Sequence, residues 1–162
     1  LKFSDNGIKI VRVNTAEEMY NACQQSFEKT DIAVMAAAVA DYTPVSVADK
    51  KIKKETDRFV IELTKTKDIL KSLGEKKKIN QVLVGFALET ENEREYALGK
   101  LQNKNADLIV LNSLKDSGAG FGLDTNKIII FDKSGQEFNF ALKSKQEVAK
   151  DIVNTIIQLY YA

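Results

Sequence analysis

The chain has 162 residues, 44% hydrophobic and 29% charged, with a formal net charge of +1. That length fits one domain with a sizeable core, and the even charge gives no global field for nucleic acid. Histidine is absent and cysteine occurs once, which excludes Ser-His and Cys-His nucleophile pairs, imidazole metal sites and an intramolecular disulfide.

In chain order, Ile8 to Asn14 alternates as a strand does, and Thr15 with Glu18 has the form of a capping box opening a helix that runs to about Lys29. Cys23 falls with Met19, Ala22 and Phe27 on the apolar face of that helix, where a free cysteine packs as a small hydrophobe. Ile32 to Val39 is a near-continuous apolar run, the pattern of a central parallel strand covered on both faces. Arg58 to Thr64 reads as another strand and Asp68 to Lys76 as a short helix. Gln81 to Ala87 is a strand, Thr90 with Glu93 a second capping box, and Glu93 to Lys104 a helix. Ala106 to Asn112 is the next strand. Lys127 to Phe131 and Glu137 to Ala141 form a hairpin turned at Lys133-Ser-Gly135. Ser144 with Glu147 is a third capping box, opening a helix whose stripe is Val148, Ile152, Ile156 and Leu159.

Alternating strands and helices predict an α/β fold with right-handed crossovers. The expected architecture is a Rossmann-like, mostly parallel sheet with helices on both faces and a C-terminal β-hairpin. No linker divides residues 1–162, so a single domain is expected. No segment approaches the ~20 apolar residues of a membrane span and no signal-peptide pattern is present; a cytoplasmic location with no membrane and no nucleic-acid partner is the expectation. The chain opens on Leu1 rather than methionine, and an N-terminal piece is expected to be missing.

Ligands of open α/β sheets sit beyond the carboxyl ends of the strands. Ala37 to Asp41, Phe86 to Thr90 and the segment from Asn112 onward lie at such ends. Asp41 at the mouth either accepts a hydrogen bond from a sugar or base or simply caps a turn. The run Lys50-Lys-Ile-Lys-Lys54 reads either as a solvated edge or as a flap over phosphates; its place just after the Asp41 loop favours the flap. Lys100 and Lys104 are four apart and share a helix face. Phe86, between Gly85 and Ala87, is either a base-stacking ring or a core aromatic. Gly118-Ala-Gly-Phe-Gly122 fails the dinucleotide fingerprint, because Leu123 stands where the third glycine belongs and no helix pattern follows. It is read as a mobile loop.

Five blocks carry a resemblance: Ala36-Ala-Ala-Val-Ala-Asp41, Lys51-Ile-Lys-Lys54, Gly85-Phe-Ala-Leu-Glu-Thr90, Lys104-Asn-Ala-Asp-Leu-Ile109 and Gly120-Phe-Gly-Leu-Asp-Thr-Asn126. In order and spacing they resemble the phosphopantothenoylcysteine synthetase family, often fused in bacteria behind a flavin-dependent decarboxylase. The resemblance implies joining of 4′-phosphopantothenate to cysteine through an acyl-nucleotidylate, with CTP as the nucleotide, Mg2+ bound with its triphosphate, no dedicated protein metal site, and a homodimer. It further implies nucleotide contacts at Ala36, Ala37, Asp41, the backbone of Lys67, Asp68, Ile69 and Leu70, the ring of Phe86, and Lys100 and Lys104. Lys51 would be the catalytic flap lysine. Lys67 stands where many relatives have proline. The glycine-rich opening unit and asparagine-bearing segment of the family do not occur before Leu1, so this piece alone is expected to be inactive. The competing expectation is a non-catalytic Rossmann-like nucleotide-binding or dimerisation module; a nicotinamide-dependent reductase is disfavoured by the failed glycine pattern.

Overall fold

The computed structural model describes residues 7–53, 58–89, 91–113 and 122–162. Its elements are α1 (Ala16–Phe27), β1 (Ile32–Met35), β2 (Tyr42–Pro44), β3 (Leu63–Lys65), α2 (Ile69–Lys76), β4 (Val82–Glu89) and α3 (Glu93–Asn103). They continue with β5 (Leu108–Ser113), β6 (Thr125–Asn126), β7 (Ile128–Asp132), β8 (Glu137–Asn139), β9 (Lys143–Ser144) and α4 (Lys145–Tyr160). A five-stranded sheet has the order β1-β4-β5-β7-β8. β1, β4 and β5 are parallel, and β7 and β8 add antiparallel partners, the expected terminal hairpin.

Alternation along the strands sorts side chains to the two faces. Val82, Val84, Leu108, Val110, Ile128 and Ile130 meet Val148, Ile152 and Ile156 of α4 on one face. Each of those three helix residues contributes about 1.5–3 kcal/mol by leaving water. On the other face α3 supplies Ala97 and Leu101 against Ile109, Leu111 and Phe131, while α1 and α2 bring Phe27, Ile69 and Leu73 onto Leu83. Cys23 packs with this last cluster, as its helical position predicts, and burial pushes its thiol pKa up.

The caps follow the sequence in full at α4, in part at α1 and not at α3. The Ser144–Glu147 box is complete. Thr15 Oγ1 accepts the Glu18 amide at 3.1 Å, but Glu18 reaches back to the Asn14 amide instead of the Thr15 one. α3 begins at Glu93 as expected, but its cap is Asn92, two residues after Thr90, in a left-handed conformation (φ 45°) with no side-chain cap bond; Thr90 lies outside the described residues.

Three strand expectations change. Ile8 to Asn14 joins no sheet among the described residues, and Ile8, Ile10 and Val11 stand half exposed. Alternation marks a strand but names no partner, and without a ladder it stays irregular. The Ile32–Val39 run leaves the sheet at Ala36, and among the described residues β1 is an edge rather than a central strand. The α4 stripe ends over β4, so Ile32 (38%) and Val34 (45%) remain exposed on that face. Finally, the Arg58–Thr64 strand is found as Leu63–Lys65, overlapping the expectation only at Leu63 and Thr64, and it pairs with β2, which no sequence pattern marked. That two-stranded ribbon stands away from the sheet, its apolar side chains largely in solvent.

Candidate functional site

A cleft of about 510 Å³ opens at the carboxyl ends of β1 and β4, within the ordinary size range of ligand pockets. β1 supplies Met35 and the loop behind it Ala37, Val39 and Asp41. β3 and the turn into α2 supply Lys65, Thr66, Lys67, Asp68, Ile69 and Leu70. Phe86 comes from β4, Lys100 from α3, Lys104 from the residue that ends it, and Met19 from α1. Of the nucleotide-contact and catalytic residues that the resemblance implies, all gather here except Ala36 and Lys51. Lys51 lies on the exposed stretch between β2 and β3, beyond the cleft lining. Asn112 is not brought to the cleft either; its Oδ1 is buried without a partner among the described residues. Most of the Gly118–Gly122 loop lies outside the described residues.

Two glycines set the geometry. A Cβ on Gly85 would stand 2.5 Å from Leu70 Cδ2 and 2.9 Å from Ile109 Cδ1, so the bare backbone is what lets Leu70 and α2 settle onto β4. A Cβ on Gly74 would fall 1.9 Å from the Lys104 carbonyl oxygen. α2 thus lies directly against the Lys104–Asn105 turn, where Asn105 (φ 48°) donates through Nδ2 to the Gly74 carbonyl at 2.8 Å. The position of Lys104 follows from a glycine thirty residues earlier in chain order.

Asp41 is fixed by the ribbon. Its carbonyl accepts the Thr66 amide at 2.9 Å, and the Thr66 hydroxyl donates to the Ala40 carbonyl at 2.6 Å. Thr66, Lys65 and Met19 are lining residues that no sequence pattern marks as such. The alternation of Arg58 to Thr64 marks a strand without showing that it returns to Tyr42.

Four lysines and two aspartates line the cleft, leaving it cationic. Lys67 Nζ donates to Glu17 Oε1 at 2.7 Å and lies 4.7 Å from the centre of the Tyr20 ring; the Glu17 bond holds its pKa above the usual lysine value. Lys104 Nζ is bonded to Asp68 Oδ2, while Asp68 Oδ1 accepts the Lys71 amide at 2.9 Å and caps α2. Burial alone would raise the Asp68 carboxyl. The bonds from Lys104 and the Lys71 amide, with the charges of Lys104 and Lys100, outweigh it and hold the group below its ordinary value. Lys100 lies one turn before Lys104 near the carboxyl end of α3, where the helix dipole favours a cation. The cleft thus offers ammonium groups, the amino end of a helix and the aromatic rings of Tyr42 and Phe86, a combination suited to a phosphorylated, ring-bearing ligand. Among the described residues no group of three His, Cys, Asp or Glu side chains forms a metal cage.

Residues 2–160 match the family model described as the DNA/pantothenate metabolism flavoprotein C-terminal domain. The chain belongs to that family. This bears out the resemblance carried by the five sequence blocks. The chain is 52% identical over 161 residues to a protein named cysteine/cysteine sulfinic acid decarboxylase from an unknown prokaryotic organism, covering 99% of this chain and 45% of that protein. It is 46% identical over 151 residues to the coenzyme A biosynthesis bifunctional protein CoaBC of Bacillus subtilis strain 168, covering 93% of this chain and 37% of that protein. Among solved structures, the crystal structure of the C-terminal domain of coenzyme A biosynthesis bifunctional protein CoaBC superimposes with a TM-score of 0.73 at 41% identity, covering 92% of this chain and 66% of the other. The chain therefore spans less than half the length of these two curated relatives.

Proposed function

We propose that this domain binds CTP in the cleft and belongs to an enzyme of coenzyme A biosynthesis that ligates 4′-phosphopantothenate to cysteine through an acyl-cytidylate. The observation that carries the reading is the convergence of Lys67, Lys100 and Lys104 with the Asp68-capped start of α2 at the carboxyl ends of two parallel strands. The likeness to CoaBC proteins supports the same reading. In it, Lys100 and Lys104 grip the triphosphate, Phe86 stacks on the base, Ala36, Ala37 and Asp41 meet the nucleoside, and the backbone from Lys67 to Leu70 closes the pocket floor. A backbone contact at Lys67 survives the change of side chain at that position.

Mg2+ enters with the triphosphate. It keeps much of its water and takes phosphate oxygens with at most one or two carboxylates, which agrees with the scattered carboxylates of the cleft, Asp41 and Asp68. The bound metal supplies charge neutralisation to the phosphates. Lys51 acts from the stretch joining β2 to β3, as a flap closing over the cleft when substrate is bound. A homodimer formed through the exposed segment leading into β3 accounts for side chains such as Val60, 88% exposed. A flavin-dependent decarboxylase domain elsewhere in the same protein fits the bifunctional relatives. The reaction is cytoplasmic.

The test is twofold. CTP is expected to raise the melting temperature of the intact protein more than ATP, and CTP with phosphopantothenate, cysteine and Mg2+ to release pyrophosphate. Lys51→Gln is expected to abolish product formation. No stabilisation by either nucleotide would refute the site; binding without pyrophosphate release would leave a non-catalytic module; and CO2 release from cysteine without nucleotide would favour the chemistry named for the decarboxylase relative.

A further inference from the structure

A cleft that attracts phosphate has little use for a carboxylate, yet Asp68 stands in it with both oxygens engaged. Oδ1 closes the amino end of α2 through the Lys71 amide, and Oδ2 takes the ammonium of Lys104. A helix-terminal amide and a lysine are two of the groups that hold phosphate oxygens in proteins. One side chain therefore makes, within the fold, the pair of contacts a phosphate would make. Lys100 adds its charge to the same carboxylate. The contact is reachable from outside, with the Lys104 and Asp68 side chains 24% and 44% exposed, so it can be exchanged without opening the core.

We infer that Asp68 is the internal counter-anion of the cleft, holding Lys104 in place while the site is empty and giving Lys104 up to a phosphate group of the entering ligand. The inference rests on the phosphate-binding reading above. It makes Asp68 a specificity-determining residue. A neutral or weakly charged ligand cannot compete for Lys104, whereas a polyphosphate can. Lys104 is also ordered before binding, so less rotamer freedom is lost when ligand arrives. The displaced carboxylate stays beside the phosphate and weakens its hold, which favours release once the polyphosphate has been cleaved. Glu17 on Lys67 is a comparison rather than a second instance, since both of those side chains are more than half exposed and Glu17 caps no helix facing the cleft.

Asp68→Asn keeps an oxygen for the α2 cap and removes the charge. The intact protein and its Asp68→Asn and Glu17→Gln variants are titrated calorimetrically with CTP, inorganic tripolyphosphate and cytidine, with and without Mg2+. Relief of one partly exposed repulsion predicts that Asp68→Asn binds CTP and tripolyphosphate about threefold or more tightly, with cytidine unchanged and a smaller gain in Glu17→Gln. Equal gains in the two variants would reduce the effect to general charge and overturn the assignment. So would unchanged affinity in Asp68→Asn, or weaker binding of all three ligands with a lowered melting temperature, which would mark a structural cap alone. Weaker binding confined to Mg2+ would make Asp68 a metal ligand and overturn it as well. If the unaltered protein binds neither CTP nor tripolyphosphate, the phosphate reading itself fails.

Discussion

Replacing Gly74 by alanine tests how the cleft is held together. In an exposed helix the change stabilises by about 1 kcal/mol, because alanine is the better helix former. Here the new methyl would lie 1.9 Å from the Lys104 carbonyl oxygen and 3.2 Å from Asn105 Cβ. The first distance is more than 1 Å inside van der Waals contact, and its partner is backbone, which cannot rotate away. α2 or the Lys104–Asn105 turn must move. Overpacking of this kind costs about 1–3 kcal/mol, and movement also breaks the Asn105-to-Gly74 hydrogen bond, worth about 1 kcal/mol. The balance is a net destabilisation of about 1–3 kcal/mol. At a urea dependence of about 2 kcal/mol per molar, the unfolding midpoint falls by roughly 0.5–1.5 M. Because Lys104 moves with the turn, polyphosphate affinity falls too. A Gly74→Ala variant as stable as the parent, or more stable, would refute the packing argument.

At the opposite end of the sheet, Asp107 is a buried charge held by Lys77 at 2.7 Å, Lys133 at 3.3 Å and the Leu83 amide at 2.8 Å. The Lys77 side chain is only 11% exposed, so Asp107→Asn strands an ammonium and should cost about 3–5 kcal/mol by urea unfolding. Adding Lys77→Met should restore part of that loss, and no restoration would count against the ion pair as the cause. Tyr160 donates to the Asp107 carbonyl at 3.4 Å, and its hydroxyl is pushed up to about 12, first by burial and then by the charges of Asp107 and Asp132. The folded chain therefore keeps this proton where the unfolded chain, titrating near 10, has lost it. The stabilisation from Tyr160 is complete below pH 10 and fades as pH rises toward 12. Near-ultraviolet titration should show a last phenol that disappears in Tyr160→Phe; superimposable curves would contradict it.

Sequence patterns reveal this fold best where each signal is local. The Ser144 box and the stripe from Val148 to Ile156 locate α4, and the Lys133–Gly135 turn locates the β7–β8 hairpin. They are weakest where pairing is decided at a distance. Ile8 to Asn14 alternates more clearly than Gln81 to Ala87 does, yet only the latter meets partners on both edges. The apolar run after Asp31 signals burial on two faces, whereas the α4 stripe covers β4 and stops. For the cleft, residues at strand ends were legible because topology alone puts them on one rim. Thr66 was not, since its task is to bond Ala40 across a ribbon whose return path no local pattern encodes. Nor was Asp68's second bond, because a capping aspartate looks the same in sequence whether or not a lysine reaches its free oxygen.

The sheet register also orders the assembly of the molecule. β7 and β8 pair across a tight turn, so that half closes its contacts early and at little entropic cost. β1 pairs with β4 only after the ribbon and α2 have intervened, joining Ile32 to Val82. The cleft opens along this second, long-range edge, with Lys100 and Lys104 reaching it from α3 and its C-cap. Loop-closure cost predicts that this edge completes late in folding and opens readily in the native state, which amide hydrogen exchange would read out. Ligand that closes the cleft should therefore act most on local opening at this edge rather than on the α4-packed layer.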